Sequence, residues 1–173
     1  MKLIIGISGA SGVNLAHRFI EKLPKHIETF IIASQSANIV LRKEQNQTIL
    51  DNKDIGGITA SGSFKCDAMV VIPCSMNTLA KISCGIADNL LTRTASVMLK
   101  ENRPLLLAPR EMPFSAIALE NMLKLSRLGV SIAPPVSAYY AKTKTLEEME
   151  DFFIGKWFDL LGIDHELFKR WEG

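Results

Sequence analysis

The sequence reads as one α/β domain over residues 1–173, built on a parallel sheet wound in both directions and covered on each face by helices. Three features carry that reading. Apolar runs of strand length alternate with stretches of helical periodicity, as repeated βα units require. The runs lack the in–out alternation of a half-exposed strand, so both of their faces are expected to lie under helices. Polar turns rich in Gly and Ser follow the runs, at the edge where such sheets hold their ligands.

The elements follow in order. The run "LIIGIS" (Leu3–Ser8) predicts a first strand, and a helical pattern extends from Gly12 to Leu23. "ETFIIAS" (Glu28–Ser34) predicts a second strand, followed by the helix-like "QSANIVLRKE". The stretch Gln45–Ser63 is the least regular and reads as a loop, either near the ligand edge or in solvent. "DAMVVIP" (Asp67–Pro73) precedes the helical "SMNTLAKI", and "LLTRTASVMLKE" is helical as well. "PLLLAP" (Pro104–Pro109) precedes "SAIALENMLKLSRLG"; "VSIAP" (Val130–Pro134) precedes a last helix that starts near Thr145. Roughly five or six parallel strands result, the layout of a Rossmann or flavodoxin-like three-layer sandwich.

Composition narrows the function. Hydrophobic residues make up 47% and charged residues 22%, which suits a globular chain with a sizeable core. The 20 basic and 18 acidic residues are interspersed, so no nucleic-acid footprint is expected and any anion site must be local. Three cysteines without a C-x-x-C, and three scattered histidines, suggest neither a disulfide framework nor a metal site. No apolar run reaches membrane-spanning length, and "MKLIIGIS" reads as a buried strand rather than a leader. The thiols fit a reducing, cytoplasmic setting.

The turn "GISGASG" places Gly6, Gly9 and Gly12 at G-x-x-G-x-x-G spacing between a strand and a helix. Backbone N–H groups at such a helix N-terminus favour an anion. The dinucleotide fingerprint differs in spacing and needs an acidic residue at the end of the second strand, where Ser34 stands instead. A P-loop lysine is also missing. A mononucleotide such as FMN fits, and so does a tight turn with no ligand. The layout recurs at "VVIPCSMNT", where Ser75 is placed to cap a helix beginning at Met76, with Thr78 at its third position. Arg93 and Lys100 share one helical face. Arg110 and Glu111 stand just past an apolar strand, and Tyr139 and Tyr140 lie beyond the next.

"GISGASG", "PCSMNTLAKI", "GIADNLLTRTASVMLKE", "RPLLLAPREMPFSAIALENMLKLSRLG" and "IAPPVSAYY", in that order, resemble the signature stretches of the flavin prenyltransferases, the UbiX family. The likeness covers nearly the whole chain. It implies transfer of a dimethylallyl group from dimethylallyl phosphate to N5 and C6 of reduced FMN, without a metal. The prenylated FMN then serves a UbiD-type decarboxylase, in ubiquinone synthesis for many members. By matching motif, FMN would be held by Gly9, Ala10, Ser11, Ser34, Ser75, Met76, Asn77, Thr78 and Arg110. Glu44 aligns with the family's catalytic glutamate, and Ser11 would orient or relay a proton near N5. The prenyl phosphate would lie against Lys100, Tyr140 and Lys156, lined by Arg93 and Glu111 and closed by Trp171. The resemblance also implies a homo-dodecamer with sites at subunit junctions, so that Tyr140 and Lys156 come from a different subunit than Ser11.

Four positions depart from the family's usual pattern: Lys156 for Arg, Met112 in "REMP", Ala118 for His, and "SAYY" for a Phe-Tyr pair. Lys156 keeps the charge and loses the planar fork. Two other classes remain in view. A flavin-dependent cysteine decarboxylase would need a catalytic histidine, for which His17 is a candidate only by residue type, and a substrate clamp that "APREMPFS" does not supply. A non-catalytic flavin carrier would not need the second cluster of Arg93, Lys100, Glu111 and Tyr140. An independent aromatic-acid decarboxylase would need a site that nothing here supplies.

Overall fold

The computed structural model describes residues 1–9, 11–34 and 46–170. The helix expected over "QSANIVLRKE" lies outside them. Six strands form one parallel sheet: β1 (Lys2–Ile7), β2 (Glu28–Ala33), β3 (Gln47–Asp51), β4 (Ala68–Cys74), β5 (Leu105–Pro109) and β6 (Ser131–Ile132). Their order is β3-β2-β1-β4-β5-β6, and every pairing is parallel. The chain winds outward from β1 to β2 and β3, then returns to β4 on the other side of β1 and winds the opposite way. The strand order therefore reverses between β1 and β4, and a crevice opens beyond their carboxyl ends.

Five described helices cover the sheet: α1 (Val13–Lys22), α2 (Met76–Ser83), α3 (Leu90–Lys100), α4 (Ala116–Arg127) and α5 (Leu146–Leu161). Alternate strand residues feed two separate cores. Leu3, Ile5, Ile7, Val70, Ile72 and Leu106 pack under α1 and α5 with Phe19, Trp157 and Phe158. Ile4, Met69, Val71, Leu105 and Leu107 pack under α2, α3 and α4 with Leu79, Leu91, Met98 and Leu125. This is why β1, β4 and β5 read as continuous apolar runs. Burying each such side chain stabilises the fold by about 1.5–3 kcal/mol. The Trp157 indole N–H donates to the Ala133 carbonyl at 2.9 Å, tying α5 to the exit of β6.

Two features correct the sequence reading. The segment expected to be a loop contains β3 and a 3-10 turn at Ile58–Ala60. β3 is an edge strand, paired only with β2 and largely exposed or half-buried, so it lacks the apolar run that marks the inner strands. The turn is fixed by a buried hydroxyl pair, Thr59 to Thr94 at 2.8 Å. The strand at Val130–Pro134 shortens to Ser131–Ile132, because Pro134 and Pro135 have no N–H to continue the ladder.

α3 is anchored at the carboxyl-end edge and runs away from it. The Leu90 and Leu91 N–H groups donate to the Asn52 carbonyl and to its Oδ1, each at 2.9 Å, just past β3. An Asn89–Thr92 capping box closes the same end. The far end of α3 leads into the start of β5, at the amino-end edge, where Arg103 donates to the Gly62 and Phe64 carbonyls at 2.7 Å.

Candidate active site

The crevice between β1 and β4 is lined by loops that hold one another. Ser8, buried at the end of β1, donates to the Pro73 carbonyl at 3.3 Å and accepts from the Ser75 N–H at 3.0 Å. Gly9 takes φ +91° and donates its N–H toward Ser34 Oγ at 3.4 Å, joining the turn to the end of β2. Ser34 donates its own N–H to the Ile7 carbonyl at 2.8 Å. Gly12, at φ +89°, is the N-cap of α1; a Cβ there would sit 3.2 Å from Arg110 Nε. Arg110 thus crosses over the glycine, and its guanidinium donates to Ser11 Oγ. Side chains other than glycine at both positions would be strained by the backbone, and at Gly12 they would also displace Arg110.

The second turn behaves as the sequence predicts. Ser75 caps α2 by accepting the Thr78 N–H at 3.2 Å, and its hydroxyl donates to Thr78 Oγ1 at 3.0 Å. Met76 and Thr78 are half-buried, and Asn77 is exposed. Two helix N-termini, of α1 and α2, therefore flank one crevice roofed by a guanidinium. Such a setting favours a phosphate. Cys74 adjoins it, but burial pushes that thiol up to about 12, so it stays protonated and unreactive. Among the described residues, no group of His, Cys, Asp and Glu is placed to hold a metal ion.

Beyond Arg110 the wall turns apolar. A cavity of about 600 Å³ is lined by Arg110, Glu111, Met112, Phe114, Pro134 and Val136, at the carboxyl ends of β5 and β6. A further depression of about 450 Å³ holds Tyr140 and Lys156 together, with Phe152, Phe153 and Trp157 beneath them. Tyr140 meets Phe152 edge-on at 6.0 Å. These two sequence-predicted residues share a site, contributed by the 3-10 turn Tyr139–Ala141 and by α5.

Neither Arg93 nor Lys100 lines the depressions around Arg110 and Tyr140. Both are exposed on the outer side of α3. Lys100 is the last residue of that helix, roughly 15 Å along its axis from the first at 1.5 Å per residue. It stands at the amino-end edge, where it pairs with Glu101 at 2.9 Å beside Gly62. The ammonium holds the Glu101 carboxyl below its usual range. Ala10, Glu44 and Trp171 lie outside the described residues. His17 is a half-buried residue of α1.

Sequence reasoning passed over two groups. Ser8, read only as part of a Gly/Ser turn, is the hydroxyl that joins the β1 and β4 turns; a serine closing an apolar strand before glycine was its only signal. Asp159 collects His165, Arg170 and Lys156 beneath the Tyr140 depression. The three groups are distributed over α5 and the following segment, so no local pattern announced them.

The flavoprotein family model matches residues 1–157. The flavin prenyltransferase UbiX of Helicobacter pylori (strain ATCC 700392 / 26695) is 53% identical, covering 99% of this chain and 98% of the relative. A dodecameric FMN-dependent Ubix-like decarboxylase from Escherichia coli O157:H7 superposes with a TM-score of 0.93 at 39% identity, covering 100% of both chains. AnUbiX (PadA1), solved in complex with FMN and dimethylallyl pyrophosphate, superposes with a TM-score of 0.92 at 37% identity, covering 99% of this chain and 97% of that one.

Proposed function

The chain belongs to the UbiX flavin prenyltransferase family, and from that premise we infer that its crevice seats FMN next to a dimethylallyl phosphate whose phosphate contacts come partly from a neighbouring subunit. The protein is an enzyme that transfers a prenyl group to FMN and so supplies a UbiD-type decarboxylase. The observation that carries the site assignment is the Gly12–Arg110 cradle: a positive-φ glycine whose Cβ position is crowded by Arg110, at a helix N-terminus, under a guanidinium that also holds Ser11.

The residues fit FMN. Its single phosphate suits the N–H groups at the starts of α1 and α2 and the hydroxyls of Ser11, Ser34, Ser75 and Thr78, with Gly9, Met76 and Asn77 beside them; Ala10 is assigned to the same set by the family motif. Arg110 supplies the compensating charge. When bound, reduced FMN supplies the nucleophilic ring positions, N5 and C6, that accept the prenyl carbon.

The chain's own groups then have distinct tasks. Breaking the allylic C–O bond leaves extra charge on the departing phosphate. Lys100, Arg93 and Lys156 stabilise that charge where it develops, and Tyr140 orients the phosphate. The apolar cavity beyond Arg110 accepts the five-carbon group and keeps water from it. Glu111 lines the same wall, and Trp171 closes the site. Ser11 and Glu44 handle the protons that must move at N5 and leave carbon. The placement of Lys100 at the edge opposite Ser11 supports a site shared between subunits. The same placement, with the likeness to a dodecameric relative, supports a homo-dodecamer.

The whole chain is read as a single flavin-binding domain, supported by the one continuous sheet. No described helix is long and apolar enough to cross a membrane; the free thiols of Cys66, Cys74 and Cys84 fit a reducing compartment, and on that ground we place the protein in the cytoplasm.

Incubating the protein with reduced FMN and dimethylallyl phosphate under anaerobic conditions tests the reading. The flavin mass should rise by one dimethylallyl unit and its absorbance should change. A flavin carrier, or a cysteine decarboxylase, would bind the flavin and leave its mass unaltered. Glu44→Gln should keep FMN and lose product.

A further inference from the structure

Among the described residues, Asp159 meets three partners: Lys156 on its own helix, and His165 and Arg170 from the segment that follows. Its Oδ1 accepts from Arg170 Nη2 at 2.9 Å and from His165 Nε2 at 3.2 Å. Lys156 Nζ stands 3.7 Å from Oδ2, one turn earlier on α5 and beyond hydrogen-bond distance. The Leu167 N–H donates to His165 Nδ1 at 3.1 Å, which leaves Nε2 to donate to Asp159. Arg170 supplies a hydrogen-bonded countercharge at Oδ1, and Lys156 faces Oδ2 through charge alone.

The segment that delivers Arg170 is built onto α5. Gly155 sits in the middle of the helix, where glycine is disfavoured relative to Ala. A Cβ there would lie 2.5 Å from the Phe168 ring and 2.7 Å from His165 Cε1, so the glycine makes room for this segment. Phe168 packs on Phe152 at 5.0 Å, and Phe152 meets Tyr140 from its other side. The aromatic chain runs from the segment to the depression that holds Tyr140 and Lys156.

We propose that Arg170 is a positioning residue for donor binding: by occupying Asp159 it keeps Lys156 available to the donor phosphate, and without it Asp159 captures Lys156. The proposal rests on the reading of Lys156 as a phosphate ligand. In a helix, an aspartate three residues after a lysine is close enough to pair with it directly. Here Arg170 and His165 hold Oδ1 and so fix the carboxylate, and the Lys156 ion pair to Oδ2 stays loose at 3.7 Å rather than closing to a hydrogen bond. The bound segment and an available Lys156 thus go together.

The test measures dimethylallyl phosphate affinity by calorimetry on the FMN-loaded protein, alongside KM and kcat. Arg170→Gln should weaken donor binding about tenfold, the equivalent of one charge-assisted contact, raising KM while kcat at saturating donor holds. FMN affinity should not change. Adding Asp159→Asn to that variant should restore donor affinity to within about twofold, because the neutral amide still accepts from His165 through its oxygen but cannot hold the ammonium. Arg170→Lys, which keeps a cation against Asp159, should bind donor nearly as the wild type and guards against a folding defect. Unchanged affinity in Arg170→Gln overturns the proposal. So does weakening that Asp159→Asn fails to relieve, since Arg170 would then touch the donor or act only on the segment's fold. A Lys156→Gln variant separates the two levels. If it binds donor normally, the Lys156 assignment itself is wrong and the proposal falls with it; if it binds donor weakly while the rescue fails, only the proposal falls.

Discussion

The flavin side and the donor side of the proposed site are made differently. The turns after β1, β2, β4 and β5 are cross-linked inside one chain by Ser8, Ser34, Ser75 and Arg110, and two strained-if-substituted glycines fix their shape. The donor-side groups stand on outer surfaces. Lys100 and Arg93 are exposed on α3, and Tyr140 and Lys156 line a separate depression. One region is cross-linked within the chain; on the proposed reading, the other presents charges that act on a neighbour's cradle. A protein can thus fold and hold its flavin by local rules while keeping chemistry conditional on assembly.

The comparison is tested hardest at Lys100. Lys100→Ala should cut prenyl transfer roughly 10²- to 10³-fold through loss of charge stabilisation, with FMN retained; turnover and FMN titration check it. Equal loss of flavin would erase the division between the regions. Gly12→Val should do the converse. A branched side chain at φ +89° against Arg110 should cost about 1–2 kcal/mol in the backbone alone and raise the FMN Kd tenfold or more, as flavin fluorescence and denaturant unfolding would show. Ser75→Ala removes a cap worth about 1 kcal/mol, which should lower Tm by about 2–4 °C and loosen FMN mildly. The smallest effect is expected at the exposed Lys2–Glu28 pair. Lys2→Ala should shift stability by less than about 1 kcal/mol and leave both FMN and donor binding as they are.

The sequence made the flavin side legible because its signals are local. A strand that empties into glycine and serine, and a Ser75-x-x-Thr78 cap after an all-apolar strand, each state their geometry within a few residues. The inner strands were readable for the same reason, being apolar on both faces. β3 was not, since an edge strand with one pairing partner carries no continuous apolar run. The donor side was legible only through family resemblance: nothing within "LLTRTASVMLKE" says that Lys100 and Ser11 occupy opposite edges of the sheet in one subunit. Asp159, His165 and Arg170 were invisible because their meeting depends on how the chain folds back over Gly155.

Mixed assemblies put the shared-site account to its most direct trial. Lys100→Ala subunits keep an intact cradle, and Gly12→Val subunits keep an intact Lys100, so each alone should be nearly inactive. Dissociated and reassembled together, they should regain prenyl transfer, because an intact cradle meets an intact lysine across a subunit junction. Activity no greater than the sum of the two parents would contradict the account and place both groups of each working site in the same chain.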